Sequence, residues 1–182
     1  AYTEVYQGGI PAPTWELNNV SNPSLDGNSL RCALTEGVKY SNVHCYRNLP
    51  ADTNSNTFML SMSFYYQPPS TFNNVGGSSI VQALEFTMNK WSQGLRYEWA
   101  LQWDNVDIGA PKWRYWDPNH SPNWVDLGIT GSLAGQQWHT LKLEGEILAD
   151  KVQYRSFTID GQRHQLEIPP IAPAMSNEPD KL

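Results

Sequence analysis

The stretch TFMLSMSFYYQ, residues 57–67, sets Phe58, Leu60, Met62, Phe64 and Tyr66 in strict alternation with Thr57, Met59, Ser61, Ser63 and Tyr65. A side-chain period of two belongs to a β-strand with one face on a core and the other toward water. On the C-terminal side, IVQALEFTM (residues 80–88) and LRYEWALQWD (residues 95–104) carry the same period and flank Ser92-Gln93-Gly94, which predicts a hairpin over residues 80–104. KWRYW (112–116), WVDLGI (124–129), QQWHTLKLEGEI (136–147) and KVQYRSFTIDGQRHQLEI (151–168) read as further strands. Between the segments lie QPPSTFNNVGGSS, NVDIGAP and DPNHSPN, whose Pro, Gly, Asn and Asp content marks loops and turns. No long stretch carries a helical period. Many short, turn-bounded strands predict an all-β fold, an antiparallel β-sandwich of jelly-roll type. A single domain is expected over residues 1–168. The N-terminal YQGGIPAPTWELNN reads as an irregular arm or edge strand, and residues 169–182, PPIAPAMSNEPDKL, as a Pro-rich polar tail that frays or links outward.

The 182 residues are 40% hydrophobic, 12% aromatic and 16% charged, the composition of an ordered globular chain. A formal charge of −6 argues against a nucleic-acid backbone or an anionic membrane surface as partner. No uninterrupted apolar run is long enough to span a bilayer, so membrane insertion is not expected. The opening AYTEVYQ has neither an initiator Met nor a basic and apolar leader, and reads as a mature, secreted chain. Cys32 in SLRCAL and Cys45 in NVHCYRN, separated by TEGVKYS, suit a hairpin that sets them opposite each other. A disulfide there would contribute about 3 kcal/mol. Low Lys content and abundant Asn, Thr and Ser agree with an oxidising compartment, against the alternative of two buried thiols in a cytosolic protein.

Seven of the eight tryptophans fall between Trp91 and Trp138, among carboxylates, amides and a guanidinium. Indoles stack on the C–H faces of sugar rings while neighbouring polar groups meet the hydroxyls, so the expected ligand is a carbohydrate. Alternation divides the cluster. In ALEFTMN the core side is Leu84, Phe86 and Met88; in YEWALQWD it is Trp99, Leu101 and Trp103. Glu85, Glu98 and Gln102 then share the opposite face. Arg114 and Trp116 are assigned to that face because a buried, unpaired guanidinium is costly. Trp124, after Pro122, is expected to be the most exposed aromatic. The binding set is therefore Glu85, Glu98, Gln102, Arg114, Trp116 and Trp124.

SNPSLDGNSLRCAL (residues 21–34) resembles the opening strand of jelly-roll carbohydrate-binding and laminin-G-like domains, where a Ser-x-Asp-Gly turn precedes the first core strand. WHTLKLEGEILADKVQYRSFTIDG (residues 138–161) is similar to the Trp-His strand and Asp-Gly hairpin of concanavalin A-like lectins and glucanases. The resemblance implies a curved antiparallel sheet with an extended saccharide on its concave face, in a fold that serves lectins, hydrolases and lyases alike.

Three functions are thus carried forward. The first is a secreted, lectin-like domain without catalysis. The second is a glycoside hydrolase or polysaccharide lyase on the same fold. Hydrolysis would use Glu85 and Glu98, yet the acid-rich strand of the resembled glucanases holds two or three carboxylates where ALEFTMN has Glu85 alone. Lyase chemistry would draw on Tyr65, Tyr97, Gln102, Arg114 and His139, although His139 alternates onto the core side. The third is a protein-interaction or surface-structural domain anchored by exposed aromatics. No organic cofactor is implied. Asp104, Asp107, Asp117 and Asp126 are the residues that could brace loops around a structural calcium ion.

Overall fold

In a computed structural model, the residues described are 4–8, 14–35, 42–49, 55–68, 81–105 and 110–181. All regular structure among them is strand or turn. The strands are β1 (Glu4–Gly8), β2 (Thr14–Val20), β3 (Ser29–Thr35), β4 (Asn42–Tyr46), β5 (Thr57–Tyr66), β6 (Ala83–Ser92) and β7 (Leu95–Asp104). They continue as β8 (Lys112–Trp116), β9 (Trp124–Thr130), β10 (Gln137–Leu148), β11 (Lys151–Ile159), β12 (Gln162–Gln165) and β13 (Ala174–Met175). Every pairing between them is antiparallel. Most of the expected 67–79 loop and Asp107 lie outside the described residues.

Two compact units divide the chain. The first comprises Ala1–Asn48 and Pro68–Val81. In it β1 pairs with β4, and β2 with β3 from Thr14↔Thr35 to Val20↔Ser29, so the N-terminal stretch expected as an irregular arm or edge strand contributes to two strands. Asp26 shapes the β2–β3 connection, accepting the Asn28 amide at 3.0 Å next to Gly27, whose φ of 89° suits a residue without a β-carbon. The cysteine strands are not hairpin partners of each other: Cys32 stands opposite Leu17 and Cys45 opposite Val5. Their sulfurs nevertheless approach to 3.7 Å as thiols.

The second unit, Leu49–Gln67 with Gln82–Leu182, contains a four-stranded sheet in the order β12-β11-β10-β5 and a five-stranded sheet built on β7. Along one edge β7 pairs with β6 over its whole length; the other edge is shared by β8 at one end and β13 at the opposite end. Three connections are two-residue turns with both φ values positive: Gln93-Gly94, Ala149-Asp150 and Asp160-Gly161. That is the turn geometry whose twist matches paired strands, and it fixes their register.

Period two decides the burial. Phe58, Leu60, Met62 and Phe64 of β5 are half-buried while Thr57, Met59, Ser61 and Ser63 are exposed. Trp99, Leu101, Trp103 and Trp113 of the five-stranded sheet, and Leu141, Leu143, Tyr154 and Phe157 of the four-stranded one, keep 2% or less of their surface. Rings from the two sheets meet directly: Phe58 with Trp99, Phe64 with Phe86, Trp113 with Phe157 and Tyr115 with Tyr154, at centroid distances of 4.8 to 5.6 Å. Burying such rings is the main stabilising contribution of this unit. His139 belongs to the same interior. Its Nδ1 lies 2.6 Å from Asp160 Oδ2 and its Nε2 2.8 Å from the Ala134 carbonyl. The two contacts make His139 a tie between the β10 strand and the Asp160 turn.

Residues 169–181 do not fray. Ile171 exchanges backbone hydrogen bonds with Val152, both at 2.8 Å; Ser176 donates to the Gly94 carbonyl at 2.9 Å, and Lys181 pairs with Trp91. Ile171 itself is buried, which supplies the apolar anchor the Pro-rich composition concealed.

Candidate functional site

The outward face of the five-stranded sheet carries the residues that alternation placed together. Register pairs Glu85 with Gln102 and Gln102 with Arg114. A β-bulge after Trp113 then puts Asp126 opposite Arg114, so a polar row Glu85–Gln102–Arg114–Asp126 crosses β6, β7, β8 and β9. Paired positions point to the same side of a sheet, and hydrogen bonds confirm the row. Gln102 Nε2 donates to Glu85 Oε1 at 2.7 Å, and Arg114 donates from Nη2 to Gln102 Oε1. Arg114 also forms an ion pair with Asp104 at 3.2 Å, and Lys112 one with Asp126 at 3.1 Å. The Gly128 amide, donating at 2.7 Å, and then Lys112 hold the Asp126 carboxyl below the usual carboxylate range.

One step along the sheet lies the aromatic pair. Trp116 and Trp124 are register partners with ring centroids 5.2 Å apart in an edge-to-face arrangement. Trp124 opens β9, the strand expected over residues 124–129, and it is half-buried. The connection between the two indoles is tightly tied: the Asp117 amide donates to the Asn123 carbonyl at 2.9 Å, and Asn119 Nδ2 to the Ala172 carbonyl at 3.0 Å. This bonding is why a loop rich in Pro and Asn holds two large rings in one orientation.

Glu98 completes the face but stands apart from Glu85. Its register partner is Asn89, four residues along β6 from Glu85, or about 13 Å of strand. Its carboxylate lies 2.9 Å from Arg96 Nη2, on the side away from Glu85. Burial raises the Glu98 carboxyl above its ordinary value; Arg96 opposes the shift and the charge of Glu85 adds to it.

Two features of the face were not legible from alternation. Although turned away from the Trp99 side, Gln102 keeps 5% of its surface and Asp104 7%, so the centre of the row is buried while Glu85 is exposed. In addition, three buried polar atoms on this face have neither a hydrogen bond nor an ion pair, Asn89 Oδ1, Arg114 Nε and Trp116 Nε1, while Glu98 Oε2 is held by Arg96 alone. Asn89 was missed because nothing in its own segment separates it from an ordinary strand-end amide.

The other nominated residues are scattered. Tyr65 packs edge-to-face with Trp138 on the outward side of the four-stranded sheet, 5.6 Å between centroids. Tyr97 is buried, with its phenol pushed above the ordinary value by burial and then by Asp150. Neither these tyrosines nor His139 converges on Gln102 and Arg114. Asp117 is committed to the Asn119 amide at 2.8 Å. Among the described residues no group of three or more His, Cys, Asp and Glu side chains is placed to hold a metal ion. A shallow depression of 450 Å³ lies elsewhere, bordered by Met59, Glu144, Glu146, Arg155 and Arg163. It is lined by the ion pairs Arg155–Glu146 and Arg163–Glu144, an ordinary solvated charge network.

No known protein family, characterised protein or solved structure matches this chain.

Proposed function

We propose that the chain is a secreted β-sandwich domain of concanavalin A-like architecture that binds a polysaccharide or oligosaccharide on the outward face of the β6–β9 sheet. The observation that carries this reading is the Trp116–Trp124 pair set beside the row Glu85–Gln102–Arg114–Asp126. Indole faces take the apolar side of a pyranose, and a row of amide, guanidinium and carboxylate groups takes its hydroxyls. The sandwich architecture draws support from the rings of the two sheets meeting in one interior. The reading includes a Cys32–Cys45 disulfide, for which the two thiol sulfurs, 3.7 Å apart, would have to close to about 2.05 Å.

Binding is favoured over cleavage. Glycosidase carboxyl pairs stand about 5 to 9.5 Å apart, whereas Glu85 and Glu98 are four strand positions apart in register and Arg96 draws Glu98 further away. The test is isothermal titration of soluble glycans alongside tryptophan fluorescence, for the parent chain and for a Trp116→Ala, Trp124→Ala double variant. Saturable binding that the double variant loses, with its circular dichroism unchanged, is the expected result. A flat response across the whole glycan panel would sink the reading.

A further inference from the structure

A small cavity opens where an edge of each sheet of the second unit meets the other. β9 closes one end of the five-stranded sheet and β12 one end of the four-stranded sheet. Between them lies a space of about 170 Å³, on the side of β8 and β9 opposite the polar row. Its inner wall is apolar and comes from side chains that alternation turns inward: Trp113 with its register partner Ile129, Ile159 two positions beyond Phe157, and the buried Leu133. His164 is the register partner of Phe157 and stacks on it, with ring centroids 4.7 Å apart. The mouth is polar, since Thr130, Ser132 and Gln162 are exposed there.

Glycine at position 131 keeps this space open. Its φ lies outside the left-handed region, so the backbone does not require glycine, and a β-carbon there would meet only Trp113 Nε1 among the described residues, at an ordinary 3.8 Å. What the glycine supplies is room beside the indole. The position is also fixed: the Gly131 amide donates to the Pro111 carbonyl at 3.1 Å, and the Gly131 carbonyl accepts Trp103 Nε1 at 2.9 Å. The wall is therefore set before any ligand arrives, which lowers the cost of ordering on binding.

The lining decides what fits. A volume of 170 Å³ is close to the roughly 150 Å³ that takes one benzene molecule in an apolar protein cavity, so a single six-membered ring fills it. No Lys or Arg lines the space. Its one carboxylate is Asp160, whose Oδ2 lies 2.6 Å from His139 Nδ1 and whose Oδ1 accepts the Thr140 amide at 2.8 Å. An anionic ligand would meet that carboxylate with no cation in the lining to offset it. A fully hydroxylated ring would press hydroxyls without partners against Trp113, Ile129, Leu133 and Ile159. One hydroxyl at the ring edge, by contrast, finds donors and acceptors at the mouth in Ser132, Gln162 and His164. Ser132, His164 and Asp160 form no hydrogen bond with one another, so the cavity holds no activated nucleophile and its chemistry is binding.

We propose that this cavity is a second ligand site, independent of the saccharide face, and that it takes a single uncharged aromatic ring carrying a hydroxyl, a ligand of the phenol class. The ring lies against Trp113, Ile129, Leu133 and Ile159, and the hydroxyl stays at the mouth.

The probe is 4-fluorophenol, titrated into the full chain and followed by fluorine NMR together with the indole N–H resonances of the protein. Saturable binding that shifts the Trp113 indole N–H is the expected result. 4-Fluorobenzoate, with the same ring and a negative charge, should bind at least about tenfold more weakly, and methyl glucoside should not displace the phenol. Gly131→Leu, whose side chain enters the space beside Trp113, should weaken 4-fluorophenol at least about tenfold, and Gly131→Ala, whose methyl group has room, about two- to fivefold. Absence of saturable binding overturns the proposal, as do shifts centred on the Trp116 and Trp124 indoles instead of Trp113. Parent-like affinity in a folded Gly131→Leu chain overturns the cavity as the site; should that variant not fold, parent-like affinity in Gly131→Ala does the same. Benzoate bound as tightly as the phenol, or displacement of the phenol by methyl glucoside, overturns the ligand class.

Discussion

The hydroxyl of Tyr154 accepts the Ala100 amide at 2.9 Å and donates to the Trp116 carbonyl at 3.0 Å. A side chain of the four-stranded sheet thus stands where the β7–β8 backbone ladder stops after Leu101↔Tyr115. Burial holds the Tyr154 phenol well above its ordinary pKa, so it remains a neutral donor under all physiological conditions. Tyr154→Phe would leave the buried Ala100 amide unsatisfied, and a loss of about 1–3 kcal/mol is expected in urea unfolding. If the face binds sugar as proposed, affinity should fall as well, because Trp116 loses its backbone anchor. An unchanged unfolding midpoint would show that the ladder closes without the hydroxyl.

Gly145 faces Trp99. A β-carbon at Gly145 would overlap Nε1 and Cδ1 of that fully buried indole, whose Nε1 donates to the Gln153 carbonyl at 3.1 Å. The ring cannot retreat without breaking that bond, and Gly145 sits at the register shift of β10. Gly145→Ala is expected to destabilise the chain by about 3 kcal/mol, read as a lower chemical-denaturation midpoint. A variant as stable as the parent would mean that the indole has another rotamer available.

Glu98 makes its stability contribution at acid pH. With its folded pKa above the ordinary 4.5, the protonated form is the one the fold favours. Its contribution is full below the unfolded pKa and is lost as pH rises through the folded one. Glu98→Gln should therefore unfold at a temperature no lower than the parent at pH 7 and lack that pH dependence just above 4.5. Melting curves between pH 3.5 and 7 decide it, and a clearly less stable variant at pH 7 would make Glu98 a structural anchor for Arg96.

Cys32 should be a slow thiol. Burial, then the adjacent Cys45, push its pKa to about 12 from 9.0. Under reducing conditions at pH 7.5, iodoacetamide is expected to alkylate it about thirty- to sixtyfold more slowly than an ordinary thiol, because the smaller thiolate fraction is partly offset by the greater nucleophilicity of a more basic thiolate, with the difference vanishing in denaturant. Labelling at an ordinary rate in the folded chain would show that the 3.7 Å approach is not maintained.

What alternation could read, it read from within single strands. The core side of β5, the burial of Trp99 and Trp103, and the outward placement of Glu85, Gln102 and Arg114 all follow from period two in segments of ten residues. The Gln93-Gly94 turn likewise lies in the same local stretch as the hairpin it closes. The remainder depends on partners remote in sequence. Asp126 joins the row only because a bulge after Trp113 shifts the register, and Gly128 at φ 69° accommodates the irregularity on the facing strand. Leu141 opposite Met62 is a pairing of distant segments whose choice no local pattern encodes. The burial of Gln102 and Asp104 is equally tertiary: the pleat gives the side on which a residue lies, never what covers it.

The path of residues 169–181 bears on where this chain can be cut. Ile171 is bonded to Val152 at the start of β11, Ser176 to the β6–β7 hairpin and Lys181 to Trp91, with its ammonium 4.8 Å from the indole centroid. A cloning boundary drawn after Ile168, where proline begins, would sever a strap that fastens the Val152 end of one sheet to the hairpin end of the other. An expression plasmid for this domain should run past Lys181, and any affinity tag belongs beyond it on a spacer long enough to leave that clasp closed.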